Sequence, residues 1–111
     1  ADKDIHMDIQ AKSPRQLAAM ASLSTFYFGN EGGARHIVHA MQRPSFVICS
    51  PIASKRTWLP EDDEIPTEGI SPADIIDAAS LRDMDAAARY DAITVGIVYP
   101  RLLAFCKKLG I

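Results

Sequence analysis

The stretch that decides the fold runs from Thr25 to Pro51 and reads TFYFGNEGGARHIVHAMQRPSFVICSP. Residues 25–28 form an apolar, aromatic run, and a glycine-rich turn follows at 29–33. Apolar residues in 34–42 recur at helical spacing, and 45–49 is a second continuous apolar run. We therefore predict a strand, a loop, a helix and a second strand. A loop that enters a helix presents unpaired N–H groups and the positive end of the helix dipole, which favours an anion there.

The composition limits the classes of protein to consider. The chain has 111 residues, of which 48% are hydrophobic, enough for the core of one domain. Its net charge is -2, so nucleic acid is not expected as a partner. The sequence has no run of about 18 apolar residues, so no transmembrane segment is predicted. Cys49 and Cys106 lie in apolar runs. We expect both to be buried free thiols of a reducing compartment.

The sequence before the opening stretch continues the same alternation of elements. Residues 5–9 alternate between apolar and polar side chains, which predicts a short strand. Ser13 followed by Pro14 predicts a helix start, and this helix should reach about Ser22. Strands that alternate with helices indicate βαβ units and a parallel sheet. The predicted fold is therefore α/β, with about three to four parallel strands flanked by helices, and resembles part of a doubly wound domain.

After Pro51 the sequence predicts weaker elements. Residues 61–68 are acidic and rich in turn formers, which predicts an exposed loop, and Ile70 adds a short strand. We predict helices over 72–79, 82–90 and 95–109. Asp83 is the expected cap of the second, and Gly110 is the expected stop of the third. Pro100 lies inside the third helix and predicts a kink there or a later start.

The glycine-rich loop is the main chemical signal. Its glycines, at 29, 32 and 33, do not fit the dinucleotide fingerprint G-x-G-x-x-G, and no Gly-Lys-Ser/Thr follows to make a P-loop. Glycines here let a ligand approach the backbone, although a tight turn that needs glycine for geometry alone is the alternative. Glu31 is suited to accept hydrogen bonds from sugar hydroxyls while the N–H groups bind an anion. The alternative is a solvated acid that interacts favourably with the helix dipole.

The helix and the region after the second strand add further candidates. His36 lies in the first helical turn and is expected to donate toward the loop or a ligand, whereas His39 is expected at the surface beside Arg35. Their spacing of three, without a third ligand, does not predict a metal site. Lys55 follows the second strand at the edge where open α/β sheets bind ligands, together with Trp58. Two interpretations of Lys55 are open: it contacts a phosphate, or it is a solvated cation beside a partly buried Trp58.

The run GNEGGARHIVHAMQRPSFVICSP resembles the C-terminal domain signature of glycosyltransferase family 9, the ADP-heptose:lipopolysaccharide heptosyltransferases. In that signature a strand ends in Gly-Asn-Asp-Ser/Thr-Gly and is followed by His, a small-residue helix, Pro and a strand ending in Gly/Ser-Pro. The matching positions in this chain are Gly29, Asn30, Glu31, Gly33, His36, Ala40, Pro44, Ser50 and Pro51. Glu31 replaces the usual Asp, and Gly32 replaces the usual Ser or Thr. The resemblance covers roughly residues 8–60.

The resemblance implies the GT-B architecture, in which two Rossmann-like domains enclose the site and the C-terminal one holds the donor. It implies a nucleotide-diphosphate sugar such as ADP-heptose as donor, no cofactor and no metal. It also implies a lipid-linked core saccharide as acceptor, at the cytoplasmic face of the bacterial inner membrane. The ligand-binding residues it implies are Asn30, Glu31, Gly32, Gly33 and His36, with Lys55.

On this reading the chain is the C-terminal part of the donor domain of a glycosyltransferase. The family's catalytic base, an Asp, belongs to the other domain, so this chain alone is expected to be inactive. Half of a Rossmann-like sheet exposes a strand edge, which predicts self-association. The alternative is a stand-alone α/β module that binds a phosphate or a partner without catalysis.

Overall fold

The computed structural model describes residues 9–49 and 64–111, and these form an α/β fold around a parallel sheet. The strands in this part of the chain are β1 (Tyr27–Asn30), β2 (Ser45–Ile48) and β3 (Thr67–Ile70), in the order β1-β2-β3. Both neighbouring pairs are parallel and in simple register, so residue 27 lies beside 45 and residue 45 beside 67. The predicted fold class is confirmed, and the sheet is consistent with a partial Rossmann-like domain.

Helices flank the sheet, and three of those described begin at a side-chain cap. In the described residues they are α1 (Pro14–Ser22), α2 (Gly33–Ala40), a single 3-10 turn (Pro72–Asp74), α3 (Ala78–Arg82), α4 (Ala86–Asp91) and α5 (Val95–Leu109). The Ser13 hydroxyl accepts the Gln16 N–H at 3.1 Å, which confirms the predicted start of α1. Asp77 accepts the Ser80 N–H, and Asp85 the Ala88 N–H, both at 2.8 Å. Each cap satisfies an N–H group that the helix itself leaves unpaired.

The main core lies between the sheet and α5. The Phe46 and Phe105 rings are 5.7 Å apart between centroids, and Phe26 meets Phe105 edge to face at 6.1 Å. Ile70 and Val98 complete the buried centre of this cluster. The apolar stripe predicted for α5 is confirmed, because all of its residues belong to this core cluster: Ile97, Val98, Leu102, Phe105 and Leu109. The helix runs through Pro100 within one span and ends at Gly110, whose φ of 78° suits glycine.

The opposite face of the sheet is covered by α1 and α2. Side chains alternate between faces along a strand, and Tyr27 lines a cleft with Met20 of α1 and Val38 of α2. Arg43, just after α2, donates to the Ser22 carbonyl at 2.7 Å and so ties the end of α1 to this layer. Val47 in the central strand is fully buried. Coverage on both faces explains the continuous apolar run of β2.

In the first half of the chain, the observed boundaries of the strand, loop and helix differ from the predicted ones. The first strand was predicted at 25–28 but spans Tyr27–Asn30, because pairing with β2 begins at the Tyr27 N–H and continues to the Glu31 N–H. The loop at 29–33 therefore shrinks to Glu31 and Gly32. The helix predicted at 34–42 ends earlier, and Gln42 has a left-handed φ of 61°. Pairing partners, rather than the propensities of Gly29 and Asn30, set these limits.

The second half corrects three predictions. Residues 67 and 68, assigned to a loop, belong to β3, because β2 pairs with that segment. The helix predicted over 72–79 is interrupted, because Asp77 takes an extended conformation to cap α3. The helix predicted over 82–90 begins too early and with the wrong cap, since Asp83 follows α3 and Asp85 is the cap of α4.

Some predictions fall outside the described residues. They include most of the strand predicted at 5–9, the first part of the acidic loop at 61–68, and the candidates Lys55 and Trp58. Within the described part, Cys49 is buried and Cys106 half-buried, and neither forms a disulfide. The prediction of two thiols without a disulfide is confirmed, although Cys106 is less buried than expected.

Candidate functional site

The site candidates gather at the carboxyl edge of the sheet, where β1, β2 and β3 end at Asn30, Ile48 and Ile70. The Glu31 N–H donates to the Ile48 carbonyl at 3.0 Å, which extends the pairing one residue beyond β1. Gly32 alone then separates Glu31 from the first residue of α2. This short link fixes the start of α2 directly above the sheet edge. Open α/β sheets bind their ligands at this edge.

In the described structure the N-terminus of α2 has no side-chain cap. Gly32 is the N-cap residue, and no described side chain accepts a hydrogen bond there. A Cβ added at Gly32 or Gly33 would meet no described heavy atom within 4 Å beyond its chain neighbours. The first-turn N–H groups are therefore accessible at the backbone, and the helix dipole adds positive potential. An anion is the natural partner of such a terminus.

A buried ion pair supports this loop. Arg35 is 2% exposed and its Nε lies 2.8 Å from Glu31 Oε2 and 3.0 Å from Oε1. The Glu31 side chain is itself only 6% exposed. Arg35, which the sequence pattern put away from the apolar stripe, is therefore buried. The only sequence signal for this contact is the spacing of four between Glu31 and Arg35, and pairs at that spacing are usually solvated.

His36 stands between this pair and solvent. Its Nδ1 lies 3.1 Å from Arg35 Nη2, and its Nε2 lies 3.7 Å from Glu31 Oε1. The ring remains 56% exposed. The structure thus brings together Glu31, Gly32, Gly33 and His36 of the predicted set. His39, one turn further along α2, is half-buried rather than fully at the surface.

Asn30 is engaged by two tyrosines. The Tyr90 hydroxyl of α4 donates to Asn30 Oδ1 at 2.9 Å, and the Tyr27 hydroxyl donates to the Asn30 carbonyl at 3.0 Å. Burial, and secondarily the charge of Glu31, raises the pKa of the Tyr27 phenol above its ordinary value. Asn30 therefore anchors α4 to the end of β1. The predicted ligand contact of Asn30 stays a prediction.

The charges at this edge favour an anionic ligand. The Glu31 carboxylate would repel a phosphate, but Arg35 compensates its charge at hydrogen-bond distance. The remaining potential at the start of α2 is that of its N–H groups, which is positive. Within residues 9–49 and 64–111 no group of three His, Cys, Asp or Glu side chains could hold a metal ion. Lys55 lies outside these ranges, so its predicted phosphate contact stays a prediction.

An apolar groove of about 320 Å³ lies on the other side of β1, against α5. Phe28, Ile48, Val95, Tyr99 and Leu102 are among its lining residues. Phe28 is 45% exposed although it belongs to a strand. The groove is therefore a second exposed feature of this edge strand, distinct from the polar site.

Comparison with protein-family models, curated proteins and solved structures finds no match to this chain. No helix in the described part of the chain is long and apolar enough to cross a membrane.

Proposed function

We propose that this chain binds the diphosphate of a nucleotide-sugar and forms the donor side of a glycosyltransferase of the heptosyltransferase type. The observation that carries the proposal is the uncapped N-terminus of α2 at the carboxyl edge of the sheet, beside the exposed ring of His36. The motif resemblance at Gly29–His36 supplies the class of ligand. The geometry supports the anionic part of that ligand, and the sugar rests on the resemblance alone.

The chemistry asked of the site is stabilisation of negative charge. In sugar transfer the diphosphate leaves the anomeric carbon as the acceptor hydroxyl attacks with inversion. N–H groups of Gly32 and Gly33 would bind phosphate oxygens, and His36 would donate a further hydrogen bond. Such donors accelerate the reaction because they meet charge that grows as the bond to the sugar breaks. Glu31 would keep its predicted sugar-facing role through Oε2, because Arg35 Nε donates to Oε1 while the buried Oε2 has no hydrogen-bond partner among the described residues.

The proposal extends to the rest of the reaction. The acceptor would be a lipid-linked core saccharide held by a second domain, which would also carry the base. The whole enzyme would then work in the cytoplasm, at the inner face of the bacterial inner membrane. Binding by this chain alone should be weak, because it would supply only part of the contacts with the base and the sugar.

The first test is a titration of the chain with ADP, followed by amide chemical shifts in NMR spectra. We expect the largest shifts at 32–36. Gly33→Ala should weaken ADP binding about tenfold or more, about 1.4 kcal/mol, because its methyl group would cover the backbone donors. The added Cβ has open space, so the fold should survive.

The matched control is Gly96→Ala, in the first turn of α5, where the nearest atom to an added Cβ is Thr94 Oγ1 at 3.9 Å. It should leave ADP binding unchanged. Equal loss in both variants, or shifts from ADP spread away from the start of α2, would remove the support for this site.

The second candidate, an interaction module, is favoured by the open edge of β1. The N–H groups of Tyr27 and Glu31 donate to the β2 side. Those of Phe28 and Asn30 therefore point away from β2, and no described residue pairs with them. We infer that the isolated chain self-associates through this edge.

Sedimentation over a range of concentrations tests the self-association. Phe28→Lys should shift the chain toward monomer, because an edge lysine resists strand pairing. Leu103→Lys is the matched control, since Leu103 is equally exposed at 45% but does not line the groove. A wild-type chain that stays monomeric at high concentration would contradict the inference.

A further inference from the structure

The contact between Arg35 and His36 determines where the proton of the imidazole lies. Arg35 Nη2 is 3.1 Å from His36 Nδ1, within hydrogen-bond distance. A guanidinium carries donors only and has no acceptor. His36 Nδ1 must therefore accept this hydrogen bond and carry no proton. In the neutral ring the proton then lies on Nε2.

The free end of the ring is placed for a ligand. His36 Nε2 lies 3.7 Å from Glu31 Oε1, which is beyond hydrogen-bond distance. The Nε2–H therefore keeps its donor capacity, and the ring is 56% exposed. His36 belongs to the first turn of α2, whose N-cap is Gly32 and whose terminus meets no side-chain acceptor in residues 9–49 and 64–111. An oxygen of an anion at this terminus would meet the Nε2–H and the helix N–H groups together.

We propose that Arg35 is a positioning residue, which fixes His36 as the Nε2–H tautomer so that a neutral imidazole donates a hydrogen bond at the start of α2. The tautomer follows from the contacts alone. Its use on a phosphate oxygen rests on the proposed function.

Arginine suits this role because its guanidinium has a fixed fork. Nε is directed at Glu31, at 2.8 Å and 3.0 Å from the two carboxylate oxygens, while Nη2 reaches the ring. Arg35 is only 2% exposed, so its side chain is held by packing as well as by charge. A lysine at 35 would keep the charge opposite Glu31 but has one nitrogen, which cannot serve both partners with this geometry.

The experiment reads the tautomer directly from the ¹⁵N resonances of the imidazole rings, by long-range ¹H–¹⁵N correlation. The sample is the full chain at about pH 8, and the same spectrum distinguishes a neutral ring from a doubly protonated one. We expect His36 to show a protonated Nε2 and an unprotonated Nδ1. Arg35→Lys should change this pattern to a mixture of the two tautomers.

Two references accompany the measurement. Arg101→Lys alters an arginine of α5 that contacts only its own helix in the described structure, at the Ile97 carbonyl, and should leave the His36 spectrum unchanged. His39 in α2 serves as an internal reference in every sample. A wild-type His36 with the proton on Nδ1 would overturn the proposal, and so would an Nε2–H tautomer that persists unmixed in Arg35→Lys. The wild-type spectrum alone decides the first point, so the test does not depend on how the lysine variant folds.

Titration of the same samples with ADP separates the two proposals. If the tautomer is fixed but ADP does not bind, the positioning role stands and the proposed function fails. If ADP binds, the wild type should bind it several-fold more tightly than Arg35→Lys. Equal binding despite a changed tautomer would overturn the role of His36 as a ligand donor.

Discussion

Two junctions at the carboxyl edge of the sheet have the same place in the fold and opposite chemistry. After β3, the Asp74 carboxylate accepts the Ser71 N–H at 2.8 Å and lies 3.3 Å from the Ser71 hydroxyl. After β1, no side chain among the described residues caps α2 at Gly32, and the nearby carboxylate of Glu31 is held by Arg35 instead. The first junction carries its own anion. At the second, Arg35 compensates the acid, and no described side chain caps the N–H groups of α2.

The strands before these junctions show a related difference. Gly29 of β1 and Gly69 of β3 flank Val47 in register. A Cβ at Gly69 would lie 2.9 Å from the Val47 carbonyl, whereas a Cβ at Gly29 would meet the Tyr27 ring, with its hydroxyl at 2.5 Å. A side chain at position 69 of β3 would therefore collide with the backbone of β2. A side chain at position 29 of β1 would collide with the Tyr27 side chain.

The largest effect is expected from Arg35→Met. It leaves the Glu31 carboxylate buried without its partner, which should cost about 3 kcal/mol in the free energy of unfolding. Urea denaturation measures this, with the exposed Arg101→Met as control at less than about 0.5 kcal/mol. Adding Glu31→Gln should recover much of the loss. If Arg35→Met alone were as stable as the control, the ion pair between Arg35 and Glu31 would not stabilise the junction after β1.

Gly69→Ala should destabilise next, by about 1–3 kcal/mol, because the Val47 carbonyl belongs to the central strand and cannot move without disturbing both ladders. Gly29→Ala should cost less, since the Tyr27 side chain can turn aside. Thermal or urea unfolding of the two variants compares them. The reverse order would show that the Tyr27 ring is fixed more firmly than the central backbone.

Asp74→Ala should cost about 1 kcal/mol, the usual effect of removing a cap. It opens the β3 junction, so it also asks whether an open terminus is sufficient for binding. We expect no ADP binding to appear there, because the 3-10 turn of three residues has little dipole. New ADP shifts at 71–74 would remove the distinction between the junctions.

The smallest effect is on the alkaline side of the stability profile. The raised pKa of Tyr27 means that the unfolded chain loses this proton first, so stability falls as pH rises above about 10. Tyr27→Phe should remove this part of the loss and make the profile flatter there. The β3 junction has no tyrosine of this kind in the described structure, and Tyr99→Phe in α5 provides the control. An unchanged slope would show that Glu31 and burial do not act on Tyr27.

Strong local signals explain what the sequence could predict. The Ser13-Pro14 start, the stripe of α5 and the stop at Gly110 depend on neighbouring residues, and all were predicted correctly. β3 was partly missed because Glu68 and Gly69 have low strand propensity, and pairing with β2 overrides it.

The positions of the candidate site residues in the fold could be predicted from the sequence, but their side-chain contacts could not. The loop and His36 could be located from glycine and helix patterns. The burial of Arg35 could not, because most Glu–Arg pairs spaced by four are solvated. The bond from Tyr90 to Asn30 joins residues 60 apart in sequence, and no local pattern reports such a contact.

The labelling rates of the Cys49 and Cys106 thiols can report local opening of the fold. Cys49 is fully buried at the end of β2, while Cys106 is half-buried near the end of α5. A thiol reagent should reach Cys106 through small movements of one helix, but it can reach Cys49 only when the carboxyl edge of the sheet separates. The ratio of the two labelling rates therefore reports how often this edge opens, and any ligand that closes over it should slow Cys49 alone.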